Sequence, residues 1–176
     1  MGKKIAIIGG GNLGTAIAEG LLKSGFSKPS DLTVTKRNLA TLSSLKEKGV
    51  KISSDNNKAV QSSDIIILAI KPFQVKDVLA SIAKDLSPSK HILISVVTGI
   101  FIKDMYEVVN KKLPVFRAMP NTAIAIQQSM TCLSAMNASS AQIKLVDELF
   151  CTVGKVTVID EKLMDAATVL GACGTA

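Results

Sequence analysis

Lys4-Ile5-Ala6-Ile7-Ile8-Gly9-Gly10-Gly11-Asn12-Leu13-Gly14 sets a short apolar run directly against a glycine cluster. An apolar run of that length, bounded by a breaker, reads as a strand buried on both faces. Leu13, Ile17 and Leu21 then recur at helical spacing, so the glycines lie between a strand and the first turn of a helix. In that context Gly9, Gly11 and Gly14 fit G-x-G-x-x-G with a physical meaning for each. Gly9 permits the tight turn, Gly11 lets a pyrophosphate approach the backbone, and Gly14 allows helix to pack closely on strand. Asn12 and Leu13 carry the chain into the helix, whose unpaired N–H groups and positive dipole end attract phosphate. The stretch predicts a dinucleotide-binding fold.

Working outward, the same rhythm repeats. Strands are predicted at residues 32–35, 50–53, 65–70, 92–97, 115–117, 130–134 and 155–159. Helical spacing links Leu39, Leu42 and Leu45, then Val75, Val78, Leu79 and Ile82, then residues 102–109, then Ile143, Val146 and Leu149. Gly25, Pro29, Gly49 and Pro88 supply the breaks between them. Alternation of this kind, with strands too apolar for a one-sided sheet, predicts an α/β, Rossmann-type doubly wound, mostly parallel sheet with helices on both faces. We expect residues 1–160 to form the dinucleotide-binding domain and residues 161–176 to begin a further helical segment. Leu163, Ala167 and Leu170 would line one face of that helix. The ending at Gly174-Thr175-Ala176 is expected to be a cut edge.

Composition removes several function classes. With 47 % apolar and 20 % charged residues the chain can bury a core and is not a disordered segment. Aromatics are only 3 %, with no Trp, which argues against reading nucleic acid by base stacking. The net charge of +7 is carried by basic residues placed singly or in pairs, a field for small anions rather than a nucleic-acid stripe. The longest apolar run, residues 65–70, is far short of a membrane span, and four apolar residues before Gly9 are too few for a signal-peptide core. Cys132, Cys151 and Cys173 are scattered and His91 is the lone imidazole, so neither a metal site nor a disulfide framework is expected, and the cytoplasm is the expected compartment.

The end of the second strand reads Thr35-Lys36-Arg37-Asn38. A site for NADH would place Asp or Glu there; a carboxylate repels a 2′-phosphate, whereas Arg37 pairs with it. The expected cofactor is therefore NADPH, with NADH a weaker possibility. Ala69-Ile70-Lys71-Pro72 ends the next central strand at the carboxyl edge, where open sheets of this kind bind ligands. Ala69 leaves room for a ring or ribose, Lys71 can reach a phosphate or hydroxyl, and Pro72 stiffens the exit. Ser95-Val96-Val97-Thr98-Gly99 does the equivalent job for the following strand, and Met119-Pro120-Asn121 follows the last strand of the core unit. Asn121 can orient either a carboxamide or its own loop. His91 precedes a strand, away from that edge, and reads as structural or solvated.

The glycine loop, residues 69–72 and 95–99, Arg117-Ala118-Met119-Pro120-Asn121-Thr122, and Glu161 followed by Leu170-Gly171-Ala172-Cys173-Gly174-Thr175-Ala176, resemble pyrroline-5-carboxylate reductase in order along the chain. That resemblance implies NAD(P)H-dependent reduction of the cyclic imine 1-pyrroline-5-carboxylate to L-proline. It implies cofactor contacts at Gly9, Gly11, Asn12, Leu13, Gly14, Thr35, Lys36, Arg37, Asn56, Ala69, Ile70, Lys71, Pro72, Val96, Val97 and Thr98, and Met119, Pro120 and Asn121 join them as candidates from their place after the last strand of the core unit. Glu161, Gly174 and Thr175 become candidates for the substrate end, with no catalytic residue assigned and no metal. The resemblance further implies that residues 1–160 are an NADP-binding domain and that residues 161–176 begin a helical dimerisation and substrate domain. It implies that this chain binds cofactor but lacks a portion of the active site, and that the protein is a homodimer or higher oligomer; no nucleic-acid or membrane partner is expected. The family usually has Pro where this chain has Ala123 and Gly near Ser129, and it commonly reads Ser-Gly-Ser-Gly-Pro-Ala-Tyr where this chain has residues 170–176. Two other readings share the glycine loop: another two-domain NADPH reductase such as a β-hydroxyacid dehydrogenase, and a non-catalytic NADP-sensing module.

Overall fold

The computed structural model describes residues 2–173. Eight strands form one sheet: β1 (Ile5–Ile8), β2 (Leu32–Thr35), β3 (Lys51–Ser53), β4 (Ile65–Leu68), β5 (Ile92–Ser95), β6 (Val115–Met119), β7 (Ser129–Met136) and β8 (Gly154–Val158). Their spatial order is β3-β2-β1-β4-β5-β6-β7-β8. The first six strands run parallel, β7 is antiparallel to β6, and β8 is parallel to β7. The expected mostly parallel, doubly wound sheet is what forms.

The helices are α1 (Asn12–Lys23), α2 (Ser43–Glu47), α3 (Asn56–Gln61), α4 (Val75–Ile82), α5 (Ile102–Val109), α6 (Ser140–Cys151) and α7 (Met164–Thr168). Successive strand residues point to opposite faces, and here both faces are covered. Ile5 and Ile7 of β1, with Ile65 and Ile67 of β4, pack into one core with Ile17 and Leu21 of α1 and Val146 and Phe150 of α6. Ala6, Ile8, Ile66 and Leu68 pack into the other with Val75 and Leu79 of α4 and Met105 and Val109 of α5. An unbroken apolar run such as Ile65-Ile66-Ile67-Leu68 is the sequence form of that double coverage.

Three differences from the sequence expectation have local causes. β4 ends at Leu68 and β5 at Ser95, two residues earlier than expected: the Ala69 and Val96 N–H groups make the last bonds to the neighbouring strands, to the Ile8 and Leu68 carbonyls at 2.9 and 3.1 Å, and pairing stops there. The stretch around Leu39, Leu42 and Leu45 is a 3-10 turn (Leu39–Leu42) followed by the short α2 rather than one helix. Helix α3 has no clear apolar period, since only Ala59 and Val60 are buried; Asp55 starts it by accepting from the Lys58 N–H at 3.1 Å.

His91 lies at the amino edge of β5 and is only 2 % exposed. Its Nδ1 accepts from the Ser87 N–H at 2.8 Å, so it is structural, not solvated. Burial first, and neighbouring Lys90 second, hold its pKa below the ordinary imidazole value. With the folded pKa depressed, the unfolded chain binds the extra proton, so stability is complete above about pH 6.5 and falls below it. Urea midpoints across pH 5–7.5 should show that acid limb in the wild type and a flatter one in His91→Asn. Superimposable pH profiles would refute it.

Candidate functional site

The strand order reverses at β1, with β2 on one side and β4 on the other, and the loops leaving the carboxyl ends of the parallel strands gather there. The glycine loop runs between β1 and α1. Gly9 has φ +110°, and a Cβ on it would run into the Ala69 carbonyl oxygen. The N–H groups of Gly9 and Gly10 both donate to the Thr35 carbonyl, at 3.1 and 2.7 Å. Thr35 therefore acts on the loop through its backbone, while its side chain is buried. At Gly14 a Cβ would run into the Gly9 carbonyl oxygen, so this glycine is what lets α1 sit against the loop that leads into it.

Gly11 differs from both. It caps α1 with φ −81° and ψ −170°, an extended conformation open to any residue, and a Cβ there would meet nothing within 4 Å. No side chain caps α1, and its first turn carries no acidic residue. The first-turn N–H groups are thus left for an anion, and the helix dipole favours one. Beside them lies a groove of about 440 Å³ lined by Gly10, Gly11, Asn12, Thr15, Lys36 and Thr41. Glu19 also borders it, but its carboxylate is paired with Lys48 at 2.9 Å.

The remaining candidate residues follow along the same edge. Lys36 is half-buried and Arg37 exposed after β2, and Asn56 opens α3 after β3. Ala69 and Ile70 are half-buried after β4, with Lys71 and Pro72 exposed; the Lys71 N–H donates to Gln74 Oε1 at 3.2 Å. Val96 and Val97 are buried after β5, Thr98 is exposed, and its hydroxyl lies 3.8 Å from the Met119 sulfur. Met119 and Pro120 are buried, and Asn121 caps the turn Thr122–Ile126 by accepting from the Ala123 N–H at 3.2 Å. Asn121 orients a loop with its side-chain carbonyl oxygen, and the Ser129 hydroxyl accepts from the Asn121 N–H at 3.1 Å.

Glu161 holds the structure rather than standing free. Its Oε1 accepts from the Ile102 N–H at 2.8 Å and from Arg117 Nη1 at 3.3 Å. Arg117, on β6, is 1 % exposed, stacks under Phe101 at 4.8 Å, and has Asp165 at 3.6 Å from Nη2. This cluster was legible only as a lone cation inside the apolar run Val115-Phe116-Arg117-Ala118-Met119, which demands a counter-ion. Gly174 and Thr175 lie outside the described residues. Burial pushes the Cys132 and Cys151 thiols up, Asp147 adding to it at Cys151, so neither favours a thiolate. Among the described residues, no three His, Cys, Asp or Glu side chains gather as a metal site requires.

Comparison with known proteins agrees with this fold. Pyrroline-5-carboxylate reductase 1 of Dictyostelium discoideum is 38 % identical over 98 % of this chain, which spans 33 % of that relative. The structure of a pyrroline-5-carboxylate reductase from Coxiella burnetii superposes with a TM-score of 0.94 at 30 % identity, over 99 % of this chain and 66 % of that one. A Plasmodium falciparum pyrroline carboxylate reductase with NADP bound gives a TM-score of 0.88 at 28 % identity, over 98 % of this chain and 63 % of that one. This chain therefore spans less than two thirds of the length of these relatives. Residues 4–99, from the first strand through the loop after β5, match the family described as NADP oxidoreductase, coenzyme F420-dependent, and it is to this family that the chain belongs.

Proposed function

We propose that the chain binds NADPH along its carboxyl edge and serves the reduction of 1-pyrroline-5-carboxylate to L-proline. The observation that carries the cofactor half is Gly11: an open, side-chain-free approach to the uncapped N-terminus of α1, beside a groove that Lys36 lines. In this reading Gly9 and Gly14 shape the loop, and the N–H groups around Gly11, Asn12 and Leu13 hold the pyrophosphate. Lys36 and Arg37 take the 2′-phosphate, and Asn56 borders the adenosine. Ala69, Ile70, Lys71 and Pro72 flank the ribose, while Val96, Val97, Thr98, Met119, Pro120 and Asn121 shape the nicotinamide end. NADPH, when bound, supplies a hydride. What these residues contribute is positioning, the dominant demand of a hydride transfer.

The substrate half rests on the named relatives, each similar to this chain over nearly its whole length. Residues 1–160 would be the cofactor domain and residues 161–176 would belong to the substrate side, the protein working as a homodimer or higher oligomer. Exposed Leu163, Val169 and Leu170 give that side an apolar surface.

The test of cofactor choice is Arg37→Ala. A charged hydrogen bond contributes about 1.5–3 kcal/mol, and for an exposed group like Arg37 the low end applies, so NADPH should weaken about tenfold. NADH affinity should stay unchanged. Calorimetric titration of both cofactors into both proteins reads this directly, and equal affinities of the wild type for NADPH and NADH would refute it. Oxidation of NADPH by the protein with the cyclic imine, against a 3-hydroxyacid with NADP, separates the imine reductase from the β-hydroxyacid dehydrogenase reading.

A further inference from the structure

We propose that Glu161 is a positioning residue: gripped by buried Arg117, it fixes the N-terminus of α5 and with it the loop of residues 96–101. The proposal rests on the reading that this loop takes the nicotinamide half of NADPH.

The argument starts from Arg117. A cation that is 1 % exposed inside a strand is strongly unfavourable unless it is compensated, so its partner is held where the guanidinium needs it. Its partners are Glu161 at 3.3 Å, Asp165 at 3.6 Å and the Phe101 ring. Nε and Nη2 make no hydrogen bond among the described residues, which leaves Glu161 as the main anchor. The same Glu161 oxygen accepts from the Ile102 N–H, the first of α5. Phe101 caps that helix without a hydrogen-bonding side chain, so the acceptor for this N–H is supplied by a segment 59 residues further along. A carboxylate at that position also suits the helix dipole.

The consequence lies in the loop between β5 and α5. At its start the Val96 N–H is tied to the Leu68 carbonyl at 3.1 Å; at its end Ile102 is tied to Glu161 at 2.8 Å. Between the ties lie Val97, exposed Thr98, and Gly99 at φ +75°. Asp104, accepting from the Phe101 N–H at 3.0 Å, ties the loop's end within α5's own first turn, so releasing Glu161 removes the side-chain hydrogen bond that holds this end from outside the helix and loosens it. The phosphate cradle is on other elements, β1, β2 and α1, whose helix packs on the opposite face of the sheet from α5. The two halves of the cofactor should therefore respond differently.

The experiment titrates NADPH and adenosine 2′,5′-bisphosphate, which lacks the nicotinamide half, into wild type, Glu161→Ala, Glu161→Gln and Arg117→Met, with thermal melts confirming a folded state. Glu161→Ala should weaken NADPH about tenfold, the loss of one charge-assisted hydrogen bond, and leave the bisphosphate unchanged. Glu161→Gln should recover most of the loss, because its amide oxygen still accepts from Ile102. Arg117→Met should weaken NADPH selectively, and it carries the test if Glu161→Ala fails to fold. Equal weakening of both ligands would mean a merely structural role and overturn the proposal, as would full NADPH affinity in Glu161→Ala or a Gln variant no better than Ala. A wild type that binds no NADPH overturns the cofactor reading itself, and this proposal falls with it.

Discussion

Gly11→Val will fold and melt much like the wild type yet bind NADPH about a thousandfold more weakly, because two or three charge-assisted hydrogen bonds to the pyrophosphate are lost together. The backbone at Gly11 is extended, at φ −81° and ψ −170°, which a β-branched residue adopts without strain. A Cβ there meets no protein atom within 4 Å, so the isopropyl group projects into the space a phosphate must enter. The N-cap change costs at most about 1 kcal/mol, or about 2–4 °C in melting temperature for a chain of this size. Calorimetry and a thermal melt on the same sample decide it. Wild-type affinity in a folded Gly11→Val protein would remove the glycine loop from the cofactor site.

Three residues on, the same substitution will do the reverse and strike stability first. A Cβ at Gly14 runs into the Gly9 carbonyl oxygen and sits 3.2 Å from the Ile7 side chain. Both obstacles belong to β1 and its turn, in the middle of the sheet, so α1 itself must move off the strand. Overpacking of this kind costs about 3 kcal/mol, which is about 6–12 °C in this size range. Gly14→Ala should lie between wild type and Gly14→Val. A Gly14→Val protein melting at the wild-type temperature would mean that the helix is not seated on its preceding loop as described.

How much of this was legible follows from how local each signal is. The strand-glycine-helix junction declared itself because a buried strand, a turn and an amphipathic helix lie within one short stretch, from Ile5 to Lys23. β4 was legible because a strand covered on both faces has no polar residue to hide its identity. Helix α3 was not legible, since its Asn56-Asn57-Lys58 start is held by the Asp55 cap and by Asn57 bonding to Asp85 at 2.6 Å, not by an apolar stripe. In the site, their places in the motif already gave Gly11 and Gly14 different roles; the atoms around them add that one faces open space and the other the Gly9 carbonyl oxygen. Arg117 and Glu161 are 44 residues apart, and no spacing rule joins residues that meet only after the sheet has formed.

The sheet order also sets a schedule for folding. β1 comes early in the chain yet finishes in the interior of the sheet, with Leu32–Thr35 on one side and Ile65–Leu68 on the other. During synthesis its Ile5-Ala6-Ile7-Ile8 backbone can pair with β2 but has no second neighbour until Ile65 has been made. Pairings that close over such separations are slow, because loop-closure entropy comes due before the contacts reward it. Among the described strands, only β6 and β7 meet antiparallel across a short connection, the turn at Thr122–Ile126. Among the described strands β1 therefore waits longest for its full complement of partners, and its isoleucine-rich edge is the one most exposed to pairing with the wrong chain.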